Sequence, residues 1–229
     1  MKGEAMKEEK FVVDGYDATV LIPDNPNGRW IWKTEFFHEF EQAEVALFEM
    51  GYTRVYFCIS NKFGSTNAIR LMRRFHRELL KRFSFLNEKA ILFGFSRGGL
   101  YAYNYALYYP EAVEKIYLDA PVLNLRSWPW HKGINHELFC KEYNVNEETF
   151  ETFRGSPVDT VSEFASYDIP LLIVSGDKDL SVPIEENAYR FKSYYESVGK
   201  SFTLLVKEGA GHHPHSLDDV TPIVEFVEQ

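Results

Sequence analysis

Three loops of this sequence carry a serine, an aspartate and a histidine, residue types that together can make a serine nucleophile. Ser96 stands in the motif GFSRG, Asp179 in SGDKDLSVP and His212 in EGAGHHPH. A serine hydroxyl is a poor nucleophile until a base takes its proton and a carboxylate orients that base. The set therefore predicts acyl transfer in which Ser96 attacks, His212 acts as the base and Asp179 as the acid.

The motif around Ser96 predicts a sharp turn between a strand and a helix. It follows the apolar run Ala90–Phe95 and precedes a helix-like segment, and Gly-x-Ser-x-Gly in that setting is a nucleophile elbow. Gly94 and Gly98 are expected because a Cβ at either position would collide with the neighbouring strand or helix. The helix start aims free N–H groups at the site where a negative oxygen forms, so the amide of Arg97 is predicted as an oxyanion donor.

A second oxyanion donor is expected from the loop after the short strand Trp30–Trp32. This places the donor at Lys33 or Thr34, although the His-Gly pair of many hydrolases is absent from this loop. Glu35 lies in the same loop, and we predict that its carboxylate pairs with Arg97 and braces the two loops against each other. The alternative is that each charge is solvated separately.

The predicted acid and base each have rivals. Asp177 lies two residues before the predicted acid and is expected to hydrogen-bond its own turn, while Asp119 ends an earlier strand. His213 and His215 are predicted to be structural or to contact the substrate. A metal site built from the three histidines is not predicted, because Pro214 interrupts any helical spacing. No organic cofactor is expected either.

Strand patterns alternate with helix patterns along most of the chain. A hairpin is predicted over Phe11–Pro23 around the turn Asp14-Gly15, and apolar residues from Phe36 to Met50 recur at helical spacing. The alternation predicts an α/β fold, in which a mostly parallel sheet carries helices on both faces. The three chemistry-bearing loops each follow a predicted strand, and strand ends at one edge of a parallel sheet are where active sites collect.

Regular alternation fails between about 121 and 168, after the sixth predicted strand, and we expect a small cap-like insertion there. Trp128 and Trp130 lie in it and could form an aromatic wall against a sugar or acyl group. The interpretation we favour is that they anchor the insertion to the rest of the chain. Residues 1–229 are expected to form a single domain around one core.

Composition disfavours several classes of partner. Hydrophobic residues make up 45% of the 229 residues and charged residues 26%, which is ordinary for a soluble globular protein. The net charge of −9 comes without a basic block, so nucleic-acid binding is not expected. No run of about 18 apolar residues is present, so no membrane span is expected. The charged N-terminal segment MKGEAMKEEK is unlike a signal peptide, and we predict a cytoplasmic location.

Five segments carry a resemblance to a known family. They are WIWKTEFF, GFSRGGLYAYN, DAPV followed by SWP, GDKDLSVPIEEN and GAGHHPHSLDDVTPIVEF, and they extend from Trp30 to Phe226. Together they resemble the α/β-hydrolase superfamily, and within it bacterial esterases and prolyl-oligopeptidase-like hydrolases. The resemblance implies an α/β-hydrolase fold with Ser96 as nucleophile, Asp179 as acid and His212 as base. This group of hydrolases is also similar to carbohydrate-active esterases.

These observations predict a serine hydrolase that cleaves a small carboxylic ester, an acylated carbohydrate being one candidate. The nearest enzymatic alternative is a peptidase of prolyl-oligopeptidase type, although such enzymes usually carry an added gating domain, which we do not expect within 229 residues. An alternative of another class is a non-catalytic, ligand-binding member of the fold. The expected partner is a small-molecule ester, and the sequence makes no prediction of oligomeric state.

Overall fold

A computed structural model describes residues 6–229, and an eight-stranded sheet forms its centre. The strands are β1 (Lys7–Val13), β2 (Tyr16–Ile22), β3 (Trp30–Lys33), β4 (Thr53–Phe57), β5 (Ala90–Phe95), β6 (Val113–Asp119), β7 (Leu171–Gly176) and β8 (Thr203–Lys207). Their order across the sheet is β1-β2-β4-β3-β5-β6-β7-β8. The N-terminal segment compared above with a signal peptide begins in residues 1–5, outside the described residues.

The sheet is antiparallel at one edge and parallel elsewhere. β1 and β2 form the predicted hairpin about Asp14-Gly15, and β2 pairs antiparallel with β4. All pairs from β4 through β8 are parallel. Every residue of β5 and β7 is buried, as expected for central parallel strands covered on both faces.

Residues 6–229 contain eight α-helices: α1 (Gln42–Glu49), α2 (Thr66–Arg82), α3 (Gly98–Tyr108), α4 (His136–Tyr143), α5 (Glu147–Glu151), α6 (Pro157–Ala165), α7 (Ala188–Ser197) and α8 (Thr221–Glu228). Helices α1 and α8 pack on one face, while α2, α3, α6 and α7 contribute to the apolar cluster on the other. This arrangement confirms the predicted α/β class with helices on both faces. Among the helices of residues 6–229, none is both long and apolar enough to cross a bilayer.

The segment after the sixth strand departs from strand–helix alternation, as predicted, and holds α4, α5 and α6 before β7 begins. Its aromatic residues form a third apolar cluster, which reaches the rest of the chain at Phe63, Leu100 and Val182. Trp130 stacks on Phe150 with ring centroids 3.8 Å apart. The aromatic residues of the segment therefore pack mainly on one another and on the sheet-bearing part of the chain.

The helix predicted from residue 36 begins later than its apolar pattern indicates. α1 starts at Gln42, and Phe36 and Phe40 lie in the preceding loop with left-handed φ angles of 57° and 49°. Aromatic side chains three or four residues apart imitate one face of a helix, and here the same spacing occurs in an irregular loop. The prediction was wrong for these two residues, and the error concerns the site described next.

Candidate active site

Ser96 occupies a strained turn between β5 and α3. Its φ of 49° lies in the left-handed region that residues with a Cβ seldom adopt. The turn is held at both ends, because Ser96 N donates to Asp119 O at 2.9 Å and Val122 N donates to Ser96 O at 2.9 Å. The hydroxyl is thereby held at the carboxyl end of a central strand, in the geometry of a nucleophile elbow.

The two glycines of the motif permit close packing around this turn. A Cβ on Gly94 would come within 2.9 Å of atoms of α3 and of Leu118 on the neighbouring strand β6. A Cβ on Gly98 would meet Thr34 Oγ1 at 3.0 Å and Glu35 Cβ at 3.2 Å. The predicted collision is therefore present at Gly94, while at Gly98 the neighbour is the loop after β3 rather than a strand or helix.

Three residues from separate loops meet in one series of hydrogen bonds. Ser96 Oγ lies 2.9 Å from His212 Nε2, and His212 Nδ1 lies 2.6 Å from Asp179 Oδ2. Asp179 follows β7 and His212 follows β8, so both loops leave the same edge of the parallel sheet as the turn at Ser96. The structure thus brings together the three residues that sequence predicted as nucleophile, base and acid.

Asp179 is held as an ionised acceptor. Its Oδ1 accepts from the amides of Ser181 and Val182, each at 2.8 Å. Burial by itself would raise the pKa of Asp179, but the hydrogen bond from His212 and those from the two amides outweigh it and hold the pKa below its usual value. A carboxylate with this set of donors can orient the imidazole and stabilise its charged form.

The rival acids have other partners. Asp177 Oδ1 accepts from the amide of Gly209 at 2.7 Å, so it joins the loops after β7 and β8 rather than hydrogen-bonding its own turn as predicted. Asp119 Oδ1 lies 2.7 Å from His215 Nδ1, and its Oδ2 accepts from Tyr117 Oη and from the Ser216 amide. Asp119 therefore orients a second histidine.

His212, His213 and His215 form a compact cluster. Their ring centroids are 4.9, 4.9 and 4.8 Å apart, and each pair of rings is close to perpendicular. His215 is buried and His213 is exposed. Burial, followed by the neighbouring His215 and His212, lowers the pKa of His213. Helical spacing therefore does not decide whether these three histidines can meet, because an irregular loop brings their rings together.

The prediction that Lys33 or Thr34 supplies the second oxyanion donor is wrong. The Thr34 amide donates to Phe93 O at 3.0 Å as part of the β3–β5 ladder, and its hydroxyl donates to Gly98 O at 2.8 Å. Lys33 ends β3 with 1% exposure, and its Nζ lies 2.5 Å from Glu44 Oε1. Both positions belong to the interior of the sheet, so a substrate oxygen cannot reach them.

Arg97 has the two features predicted for it. Its backbone N–H has no hydrogen-bond acceptor within residues 6–229, so the amide is free beside Ser96. Its Nη2 lies 3.3 Å from Glu35 Oε2, so the predicted ion pair is present. Glu35 is 2% exposed and also accepts from Ser60 Oγ at 2.9 Å. Burial raises the pKa of Glu35, and Arg97 and Ser60 only partly offset it.

A cleft of about 540 Å³ opens beside Ser96. Its other lining residues are Phe36, Glu39, Phe40, His212, His213 and His215. The aromatic wall comes from the loop after β3, and not from the predicted Trp128 and Trp130, which are half-buried in the aromatic cluster. Sequence reasoning missed Phe36 and Phe40 because it placed them in a helix; their position directly after the predicted oxyanion loop was the available signal.

Comparison with known proteins agrees with this architecture. A family profile described as the prolyl oligopeptidase family matches residues 71–229. The fold is similar to that of Pyrococcus horikoshii acylaminoacyl peptidase, at 14% identity and a TM-score of 0.71, covering 92% of this chain and 38% of that one. A Mycobacterium tuberculosis puromycin-hydrolysing peptidase is 13% identical with a TM-score of 0.71, covering 98% of this chain and 39% of that one.

TT1662 from Thermus thermophilus has a similar fold and a similar length. It is 18% identical with a TM-score of 0.63, and the match covers 98% of this chain and 97% of that one. Identities this low show a shared fold. The chain spans less than two fifths of the length of the two peptidases. No curated protein matches the chain in sequence.

Proposed function

This chain belongs to the prolyl oligopeptidase family of serine hydrolases, and we propose that it cleaves a small carboxylic ester through an acyl-enzyme on Ser96. The observation that carries the proposal is the series of hydrogen bonds from Ser96 through His212 to Asp179, at 2.9 and 2.6 Å. These distances are within the reach needed for proton transfer and for orienting the base.

In the proposed reaction, His212 Nε2 takes the proton of Ser96 Oγ as the oxygen attacks the carbonyl carbon of the ester. The imidazolium that forms is stabilised by ionised Asp179 through Nδ1. His212 then gives the proton to the departing alkoxide, leaving an acyl group on Ser96. Water attacks this acyl group with His212 again as base, and the carboxylic acid leaves as the Ser96 hydroxyl is restored.

The oxyanion would be held by the amides of Arg97 and Phe36. The Arg97 amide follows the nucleophile, as in other elbows. We assign the second donor to Phe36 because this residue lines the cleft with Ser96 and follows Glu35, whose Cβ lies against Gly98. Among the hydrogen bonds of residues 6–229, none uses the Phe36 amide. Two such donors are worth several kcal/mol of transition-state stabilisation, about 3 for each.

The cleft suits a small acyl or alcohol group. A volume of about 540 Å³ falls within the range of small-molecule sites. Phe36 and Phe40 offer apolar faces against which an acyl chain or the face of a sugar ring could pack. An acylated carbohydrate is therefore one substrate that this cleft could accept.

A peptide bond is the second candidate target. The family is described by prolyl oligopeptidase, and two of the similar structures are an acylaminoacyl peptidase and a puromycin-hydrolysing peptidase. The same steps on Ser96 and His212 would cleave an amide. The amide reaction makes a greater demand on the general acid, because an amine leaves less readily than an alcohol unless it is protonated.

Paired substrates test these candidates. Purified protein is assayed with p-nitrophenyl butyrate and with an N-acetyl-aminoacyl p-nitroanilide, in parallel with Ser96→Ala. The proposal expects a higher kcat/KM for the ester, with both rates falling to background in the variant. A higher kcat/KM for the anilide would favour the peptidase. Equal ester rates in the two proteins, together with no fluorophosphonate labelling of Ser96, would refute the serine mechanism and favour a ligand-binding role.

A further inference from the structure

We propose that His212, His213 and His215 bind a divalent transition-metal ion such as Zn²⁺, and that the bound ion inactivates Ser96 reversibly. One imidazole nitrogen from each of the three residues can be chosen so that all of these atoms lie within 4.8 Å of one another. Zinc takes imidazole nitrogens at about 2.0–2.1 Å, which sets tetrahedral ligand atoms roughly 3.3 Å apart. Rotation of the side chains would have to bring the three nitrogens closer together for an ion to bind.

The orientation of two of the rings suits metal binding. Nδ1 of His212 faces Asp179 at 2.6 Å and Nδ1 of His215 faces Asp119 at 2.7 Å. Each carboxylate keeps the proton on Nδ1 and leaves the lone pair on Nε2. Metal-binding histidines almost always donate the N–H of the nitrogen that does not bind the ion to a carboxylate, a backbone carbonyl or water, and a carboxylate is the acceptor here. Both carboxylates are buried, so these two rings are oriented before any ion arrives.

The third ring is free to complete the site. His213 is exposed, and within residues 6–229 its ring makes no hydrogen bond. It packs beside Phe40, with ring centroids 5.8 Å apart. Turning this ring costs no buried hydrogen bond, so His213 can direct either nitrogen toward an ion held by the other two histidines. Three imidazoles and one open position are a ligand set that suits zinc.

Metal binding and catalysis would compete for one atom. His212 Nε2 is the nitrogen that lies 2.9 Å from Ser96 Oγ. An ion on this nitrogen occupies the lone pair that must accept the serine proton, so Ser96 cannot be deprotonated while the ion is bound. No proton leaves His212 during binding, because the Nδ1 proton stays on the imidazole and remains hydrogen-bonded to ionised Asp179. Removal of the ion by a chelator would restore the base.

The full chain is tested with Zn²⁺ and with Co²⁺ as a spectroscopic probe. In the wild type, ZnCl₂ is expected to suppress fluorophosphonate labelling of Ser96 and EDTA to restore it. Co²⁺ is expected to give visible bands of a nitrogen-bound ion, without a thiolate charge-transfer band. His213→Ala should raise the zinc concentration for half-suppression by about tenfold or more, relative to its own metal-free labelling. His131→Ala, which removes another exposed histidine, should respond as the wild type does.

The two readouts separate this proposal from the proposed function. Loss of labelling in the metal-free protein would refute the serine mechanism, while the Co²⁺ spectrum would still decide the metal site. The metal site is refuted if Co²⁺ gives no bands, or if His213→Ala leaves the bands unchanged. It is also refuted by a thiolate band, which would place the ion at Cys140 and His136, where Sγ and Nδ1 are 3.7 Å apart. Binding that leaves labelling intact would refute inactivation.

Discussion

Replacing Arg97 should reduce the free energy of unfolding more than replacing Glu35, its partner in the ion pair. Arg97→Met leaves a carboxylate that is 2% exposed without its guanidinium, whereas Glu35→Gln leaves a guanidinium whose side chain is 23% exposed. Water can replace the lost partner of Arg97 but cannot reach Glu35. We therefore expect the arginine variant to be the less stable of the two.

The size of the effect follows from the distance and the burial. At 3.3 Å and an effective dielectric constant of 20, the gross attraction of Arg97 for Glu35 is about 5 kcal/mol. Breaking a buried pair costs about 3–5 kcal/mol, and the partial exposure of Arg97 points to the lower end, about 3 kcal/mol. Glu35→Gln should cost about 1 kcal/mol, since the glutamine can still accept from Ser60.

The cost of Arg97→Met should depend on pH. Burial raises the pKa of Glu35 above 4.5, so the folded protein holds more protons than the unfolded chain just above that pH, and the free energy of unfolding falls as pH rises through this window. Loss of Arg97 raises this pKa further. The cost should therefore be smaller at pH 5, where more of the variant's carboxyl is protonated, than at pH 8, where less of it is. The part that does not depend on pH is the lost contact with the Phe36 ring, about 1 kcal/mol.

Urea unfolding of the wild type, both single variants and the double variant at these two pH values measures the effect. The double variant should be more stable than Arg97→Met at the higher pH, because it has no buried carboxylate. Equal costs for the two single variants, or a cost of Arg97→Met that does not change with pH, would refute this account of the pair. Ester kinetics in parallel would show whether bracing of the two loops also serves catalysis, since Arg97→Met keeps the backbone amide.

Three further predictions concern other parts of the fold. Burial lowers the pKa of His76 from 6.5 to about 4, so between these pH values the folded state binds fewer protons than the unfolded chain. The free energy of unfolding should therefore fall by about 3 kcal/mol as the pH drops through this range. Urea unfolding of His76→Gln should show most of this pH dependence removed. Asp179→Asn should lower kcat about 10⁴-fold by misorienting His212. Because the pKa of Asp179 is lowered in the folded state, wild type but not this variant should lose that stabilisation as pH falls below about 4. Gly176→Ala would place a Cβ in collision with the backbone oxygen of Ala210, so it should cost about 1–3 kcal/mol in urea unfolding and slow acylation by displacing the loop of His212.

Local patterns in the sequence were sufficient to predict the fold class and the elbow. The motif GFSRG lies between an apolar strand and a helix, and both elements are specified by residues within a few positions of Ser96. The parallel sheet follows from repeated strand–helix units, since parallel neighbours require crossover connections. The meeting of Ser96 with Asp179 and His212 follows in turn, because loops after parallel strands leave one edge of the sheet.

The surroundings of Ser96 depend on contacts between residues distant in sequence. Thr34 is excluded as an oxyanion donor by a single contact: its amide donates to the backbone oxygen of Phe93, 59 residues away. Phe36 and Phe40 have the spacing of a helix face, and only packing places them in a left-handed loop beside the cleft. Residue spacing reports local periodicity and carries no information on which donor remains unpaired after the sheet has formed.

The histidine loop shows the same division. The sequence by itself determined that His212 would approach Ser96, because it follows the last strand of a parallel sheet. Only the tertiary structure decided that His215 turns inward to Asp119, 96 residues earlier, and that His213 stays exposed. The physical reason is that a buried imidazole needs a partner for its N–H, and that partner is supplied by a strand that the local sequence does not reveal.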